Sequence, residues 1–348
     1  MSEKKVRQCT VAVIATVLNE GEAVRELMNT LLVQTRRPDE LIFVDGGSTD
    51  QTVEVLQSYA GQLPLTVLVR EGANISHGRN VAIQAAKSEI IAATDAGVRL
   101  APEWLESLVE PYEIAGDDAP GVVCGFFLPD PRTPFEVAMG ATVLPQERDI
   151  NPATFLPSSR SVAFLRQAWE KWPYPEWLDY CEDLVFDLGL RELGYKFVFR
   201  PRALARFRPR SSMKAFLKQY YRYARGDGKA DLWRKRHLVR YITYLVAGPA
   251  LILLSILHSP WWLLPLAAGA VAYLWTPYRR LALEPSRLSF SDLLQVCVTV
   301  PAIRVVGDVA KMAGYPVGVY WRFQRRSDPV VHWRKALESL HRRRAGSD

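Results

Sequence analysis

Five polar segments hold the residues with chemistry to offer: Asn19-Glu20-Gly21, Asp45-Gly46-Gly47-Ser48-Thr49-Asp50, His77-Gly78-Arg79-Asn80, Asp95 and Glu182-Asp183. A carboxylate among them can accept from a base N–H or a ribose hydroxyl, and the glycines let backbone amides approach a ligand. Each segment also has an ordinary reading. Asn19 and Glu20 can cap a helix, 45–50 can be a turn with Ser48 or Thr49 as cap, Arg79 can be a solvated helix residue, and an acid pair at 182–183 suits a helix N-terminus.

The elements that must position them are legible as alternation. TVAVIATVL (10–18) is a β-rich apolar run, and the segment behind it places Val24, Leu27, Met28, Leu31 and Leu32 at helical spacing. LIFVD (41–45), LTVLVR (65–70) and EIIAATD (89–95) repeat the pattern, each followed by a helical segment, and GVVCGFFL (121–128) predicts a further strand. Strands separated by helix-length segments imply βαβ units and a mostly parallel sheet with helices on both faces. In such a sheet, ligands lie beyond the carboxyl ends of the strands, where the first four polar segments converge. The Pro-rich stretches near 129–134 and 152–157 predict loops.

From 241 the character changes. YITYLVAGPALILLSILH and WWLLPLAAGAVAYLW are apolar runs joined by HSPWW, each near the ~20 residues of a bilayer crossing. Basic clusters flank the outer ends (234–240, 278–280) and only His258 marks the joint, so the pair predicts a membrane hairpin with cytoplasmic ends, integral to the cell membrane. A buried soluble hairpin is the alternative. Segment 290–320 carries Arg304, Asp308 and Lys311 among apolar residues, which predicts an interfacial or re-entrant amphipathic segment rather than a third full span, ahead of a basic tail.

In order and spacing, TVLNEG, VDGGSTDQT, GRNVAI and TDAGVRLAPEWLE resemble the family 2 glycosyltransferases, over residues 10 to about 230. The resemblance implies a GT-A fold, a nucleotide-activated sugar donor and inversion at the anomeric carbon. It implies that Asp45 contacts the base, that Asn19, Glu20 and Arg79 line the nucleotide pocket, and that Asp95 sits beside the diphosphate and a divalent metal, Mg²⁺ or Mn²⁺. Gly46 and Gly97 stand where the family carries second acids, so Asp95 brings one ligand and needs the diphosphate's oxygens to hold a cation. DYCEDLVFDLGLRELGYKFVF resembles the family's Glu-Asp segment, making Asp183, with Glu182 beside it, the base that takes the acceptor's proton. Gln219, Arg222 and Tyr223 resemble the Q-x-x-R-W segment of membrane synthases, at the diphosphate and the acceptor mouth. A basic interfacial helix bearing Lys214, Lys218, Arg222 and Arg225 is the other reading of that stretch.

The expected organisation is a catalytic domain over 1–230 (nucleotide half 10–128, acceptor half 129–230), a hairpin over 231–280 and an interfacial segment with basic tail over 281–348. The expected activity moves one sugar from a nucleotide-sugar to a lipid-linked or membrane-proximal glycan acceptor. A nucleotidyltransferase and an inactive nucleotide-binding membrane scaffold are the alternatives; the first strand–helix turn lacks a Gly-rich phosphate loop with a trailing Lys. Lys plus Arg exceed Asp plus Glu by 44 to 37, but the basic clusters border apolar helices, which argues against nucleic acid as partner. Four dispersed cysteines without a CxxC pair argue against a zinc site or disulfide framework, and the polar start MSEKKVRQC is not expected to be a signal peptide.

Overall fold

The computed structural model describes residues 8–283 and 288–345. The polar start (1–7) and most side chains of the basic cluster at 341–344 lie outside the described residues. The chain forms two compact units, one with residues up to 128, 147–207 and 332 onward, the other with 129–146 and 208–331. This departs from the expected linear division at 230, because segment 129–146 leaves the sheet to join the later helices.

In the first unit, eight strands form one mixed sheet in the order β3-β2-β1-β4-β7-β6-β8-β5. They are β1 (Val11–Val17), β2 (Glu40–Asp45), β3 (Leu65–Val69), β4 (Ile90–Ala93), β5 (Val98–Leu100), β6 (Val122–Pro129), β7 (Val162–Leu165) and β8 (Phe197–Phe207). The first four pair in parallel, as their βαβ pattern requires. Beyond β4 the sheet turns antiparallel through β7 and β6, and β5 pairs antiparallel with β8.

Strand periodicity divides the core. Val11, Val13, Ala15 and Val17 face α1 (Val24–Leu32), α2 (Thr52–Gln57) and α4 (Trp104–Ala115). Ala12 and Ile14 face α3 (Ile75–Ala85), α6 (Arg166–Lys171) and α7 (Glu182–Glu192). Leu27, Met28 and Leu31 are wholly buried, each worth ~1.5–3 kcal/mol in transfer terms. A register slip of one residue in β1 would exchange the two faces.

The second unit comprises α5 (Pro134–Val143), α8 (Met213–Ala230), α9 (Arg234–Ile242), α10 (Gly248–Leu257), α11 (Leu263–Leu283) and α12 (Phe290–Gln324). A π turn, Thr243–Ala247, makes α9 and α10 continuous. Its core joins Ala138 and Met139 to Phe216, Val296, Val300 and Ile303. Helices α8 and α12 touch backbone to backbone. A Cβ on Gly314 would lie 2.2 Å from the Tyr221 carbonyl oxygen, and one on Gly318 2.1 Å from that of Arg225. Small residues permit this approach, as in helix pairs within membranes. Returning to the first unit, α13 (Trp333–Ala345) lays Trp333 beside Trp172.

Among the described residues, two helices are long and apolar enough to cross a membrane, Arg234–Leu257 and Phe290–Gln324. The first contains one arm of the expected hairpin. The second arm lies in α11, which is not among the two; it carries Arg279 and Arg280 near its C-terminal end and Gly and Ala at its centre. Segment 290–320, expected as interfacial, is part of one 35-residue helix. Its charges are matched inside the unit: Asp308 accepts from Arg240 at 2.6 Å and from the Tyr273 hydroxyl at 2.6 Å, and Arg304 donates to the Tyr273 carbonyl.

Candidate active site

The loops after β1 and β2 are bound to each other. Asp45 closes β2 with no exposed surface; Oδ2 accepts from the Gly47 and Ser48 amides at 2.9 and 2.8 Å, and Oδ1 from the Ser48 hydroxyl. Asn19 adopts a left-handed conformation, tolerable for Asn, with φ 53°. Its amide donates to Ser48 Oγ at 2.8 Å and its Oδ1 accepts from the Thr49 amide at 2.9 Å. Thr52 Oγ1 accepts from the amides of Glu20 and Gly21. Asp45 therefore holds the loop's shape, with both carboxylate oxygens engaged by the turn that follows it. Glu20 is half-buried at the start of the following 3₁₀ turn.

Helix α3 brings Arg79 inward. Asn74 caps the helix by accepting from the His77 amide at 2.8 Å, and Gly78 sits where a Cβ would come within 2.7 Å of Thr16 Cγ2, so α3 lies tight against β1. Arg79, 4% exposed, donates to Glu182 Oε1 at 2.8 Å and to Asp95 Oδ1 at 3.0 Å, and its guanidinium lies 5.4 Å from the Tyr174 ring centre. His77, Asn74 and Asn80 all bind Glu176, tying α3 to the segment that leads into α7. Arg79, Asp95, Glu182 and Asp183 thus converge although they come from three separate elements.

The acids of α7 are held under electrostatic pressure. Cys181 precedes them at φ 66°, an uncommon conformation for a non-glycine residue, and turns the chain so that Glu182 and Asp183 occupy the first helical turn. Burial and the neighbouring Asp183 raise the Glu182 carboxyl above its usual range, against the pull of Arg79. Burial likewise raises Asp183, opposed by Arg79 and by the Leu184 amide, which donates to its Oδ1 at 2.8 Å. One helical turn on, Asp187 is buried, its Oδ2 has no hydrogen-bond partner, and burial with Asp183 lifts its carboxyl far upward. A raised carboxyl that faces reactants is suited to taking a proton near neutral pH.

Asp95 carries a second cation that sequence reasoning missed. Arg160 Nε lies 3.5 Å from Asp95 Oδ2, and the Arg160 guanidinium lies 4.5 Å from the Phe207 ring centre. The segment around Arg160 has no periodic pattern; only the antiparallel pairing of β4 with β7 reveals it. Both Asp95 oxygens therefore face guanidinium groups. Among the described residues no three His, Cys, Asp or Glu side chains gather as a metal site. A divalent cation would have to displace an arginine to gain a single carboxylate, so these residues do not fit a preformed metal centre.

Gln219, Arg222 and Tyr223 belong to the second unit, on α8, where Gln219 Nε2 donates to Tyr223 Oη at 2.7 Å across one turn.

Residues 12–148 match the family model of Glycosyl transferase family 2. The chain is 33% identical over 100 residues to the uncharacterized glycosyltransferase YibD of Escherichia coli, covering 28% of this chain and 29% of that protein. It is 32% identical over 120 residues to the undecaprenyl-phosphate 4-deoxy-4-formamido-L-arabinose transferase of Pectobacterium carotovorum, covering 32% and 36%. The chain thus spans about a third of the length of these curated relatives. The mannosyltransferase PcManGT from Pyrobaculum calidifontis, solved with GDP-Man and Mn²⁺, superposes with TM-score 0.52 at 19% identity over 91% of this chain and 87% of that one, a likeness of fold. With the parallel β1–β4 sheet, its polar carboxyl edge and the Glu-Asp pair in place, the chain has a GT-A-like fold, and its residues 12–148 are similar to glycosyl transferase family 2.

Proposed function

We propose that the protein is a membrane-anchored inverting glycosyltransferase that moves one sugar from a nucleotide-sugar to a lipid-linked or membrane-proximal acceptor. The observation that carries this reading is the convergence of Arg79, Asp95, Glu182 and Asp183 at the carboxyl edge of the sheet. The loops after β1 and β2 offer a fixed wall for the nucleotide, and Asp95 with its arginines faces the donor's diphosphate. Asp183 removes the acceptor hydroxyl's proton as that oxygen attacks the anomeric carbon from the side opposite the leaving diphosphate. Arg79 pairs with Glu182 and draws its carboxyl down against burial, while Asp183, raised by burial, is the acid that takes up and releases the proton.

The relative from Pectobacterium carries undecaprenyl phosphate in its name, which supports a lipid-linked acceptor here. The helices Arg234–Leu257 and Phe290–Gln324 support a membrane anchor, with its flanks on the cytoplasmic side by the distribution of basic residues.

The test incubates full-length protein in membranes with radiolabelled UDP- and GDP-sugars and a lipid extract. Label entering the organic phase is expected, and it should disappear with Asp183→Asn. Transfer that persists at the wild-type rate in that variant would remove Asp183 from the mechanism. Recovery of the protein in the soluble fraction after carbonate washing would remove the anchor.

A further inference from the structure

The acid that the family places two residues after Asp95 is here Gly97, and two arginines occupy the space around Asp95. We infer that the charge of the donor diphosphate is met in this chain by the Arg160 guanidinium, in the role a divalent cation would otherwise fill. This rests on the glycosyltransferase reading above.

The sheet itself delivers Arg160. Because β7 runs antiparallel to β4, with Val162 opposite Ala93, the chain arrives at β7 on the edge where it leaves β4. Arg160, two residues before Val162, therefore meets Asp95, two residues after Ala93. Thr94 fixes the approach by donating Oγ1 to the Arg160 carbonyl at 3.1 Å. Ser161 Oγ accepts from Trp104 Nε1 and donates to the Ala203 carbonyl, so the residue that follows is pinned as well. The guanidinium rests on Phe207, with Phe127 at 6.0 Å and Ser158 Oγ at 3.1 Å from Nη1.

The two arginines differ in exposure and in their distance from the acid they share. Arg79 has a 5% exposed side chain and short bonds to two carboxylates. Arg160 is 24% exposed, and its 3.5 Å approach to Asp95 is longer than the roughly 2.7–2.9 Å of a full charge-assisted hydrogen bond. Its charge also draws the Asp183 carboxyl downward, against burial. A guanidinium pairs with phosphate oxygens through two parallel N–H donors and, unlike a metal, needs no further acid to hold it.

During transfer the bond between the anomeric carbon and the diphosphate oxygen breaks, and its electron pair leaves with the nucleoside diphosphate. The acceptor oxygen forms the new bond to carbon and its proton passes to Asp183. The extra negative charge on the departing diphosphate is what Arg160 offsets.

Calorimetric titration of UDP and of GDP into the detergent-solubilised full chain, in excess EDTA and in Mn²⁺, tests this. At least one nucleotide is expected to bind with an affinity that EDTA changes by less than about threefold. Arg160→Gln should weaken that EDTA-resistant binding about tenfold or more, and Arg160→Lys should recover part of the loss, with both variants folded by circular dichroism. Binding that requires Mn²⁺, or an Arg160→Gln protein that binds like wild type, overturns the inference and leaves the glycosyltransferase reading standing. Failure of both nucleotides to bind in either condition overturns that reading as well.

Discussion

On the parallel side of the sheet, the loops after β1 and β2 spend their polar groups on one another: Asp45 on the Gly47 and Ser48 amides, Asn19 on Thr49, Thr52 on Glu20 and Gly21. On the other side, α7 buries Glu182 and Asp187 and half-buries Asp183, Asp187 Oδ2 has no hydrogen-bond partner, and desolvation drives all three carboxyls upward. The first region is a wall whose polar groups are satisfied by one another. The second stores unfavourable electrostatics that proton transfer relieves. Binding and chemistry are thereby assigned to different physical states of the same residue type.

The contrast breaks most sharply at Asp183. Asp183→Asn should cut transfer by about 10²–10⁴-fold, the usual contribution of a positioned base, while nucleotide affinity stays within about twofold. Rates from a radiolabel assay beside calorimetric affinities check the separation. The wild-type rate should fall on the acid side, because the base works only when ionised and burial moves that limb upward.

Asp45→Ala should behave in the opposite manner. It leaves two amides and a hydroxyl without their acceptor, so it should cost about 3 kcal/mol of stability and weaken nucleotide binding, with the residual turnover of bound donor unchanged. Thermal unfolding of the two variants side by side would show loss for Asp45→Ala only.

Asp187 sharpens the comparison through pH. Its folded carboxyl titrates far above its unfolded value, so folding must take up a proton once the pH exceeds the unfolded value near 4. Wild type should therefore lose stability relative to Asp187→Asn by about 1.4 kcal/mol per pH unit above that point, until the folded carboxyl ionises. Melting curves at pH 5 and pH 8 should show the variant's advantage growing with pH; a constant difference would mean that Asp187 is ionised in the folded protein.

Gly97→Asp should give the smallest effect on the fold. No atom lies within 4 Å of a Cβ built there, and the backbone is outside the left-handed region, so an aspartate fits. The variant should bind Mn²⁺ about tenfold more tightly than wild type in calorimetry, at nearly unchanged stability, since a second carboxylate would then face the cation.

Much of the first region was legible because its strands are continuous apolar runs that end abruptly in polar residues, as LIFVD ends in Asp45 and EIIAA leads to Asp95. The pairing of Arg79 with Asp95 and with Glu182 of α7 was legible only as shared location. Arg160 and Asp187 were not legible. Arg160 sits in a segment without periodicity, and its place depends on an antiparallel pairing across many residues. Asp187 lies inside an amphipathic helix, where an acid four residues after another reads as surface charge. The length of α12 was obscured by Arg304, Asp308 and Lys311, whose charges deter a long apolar helix until partners such as Arg240 and Tyr273 are known.

The backbone contact between α8 and α12 also constrains how the second unit can be assembled. The two helices are separated in the chain by α9, α10 and α11, and their glycine faces fit only at close range. Until the intervening helices have folded back, closing so long a loop costs entropy with no partial contact to offset it. The pair should therefore form late, after the apolar arms have found their place. A hydrogen-exchange time course during refolding would see α8 protected in step with α12 and behind α10.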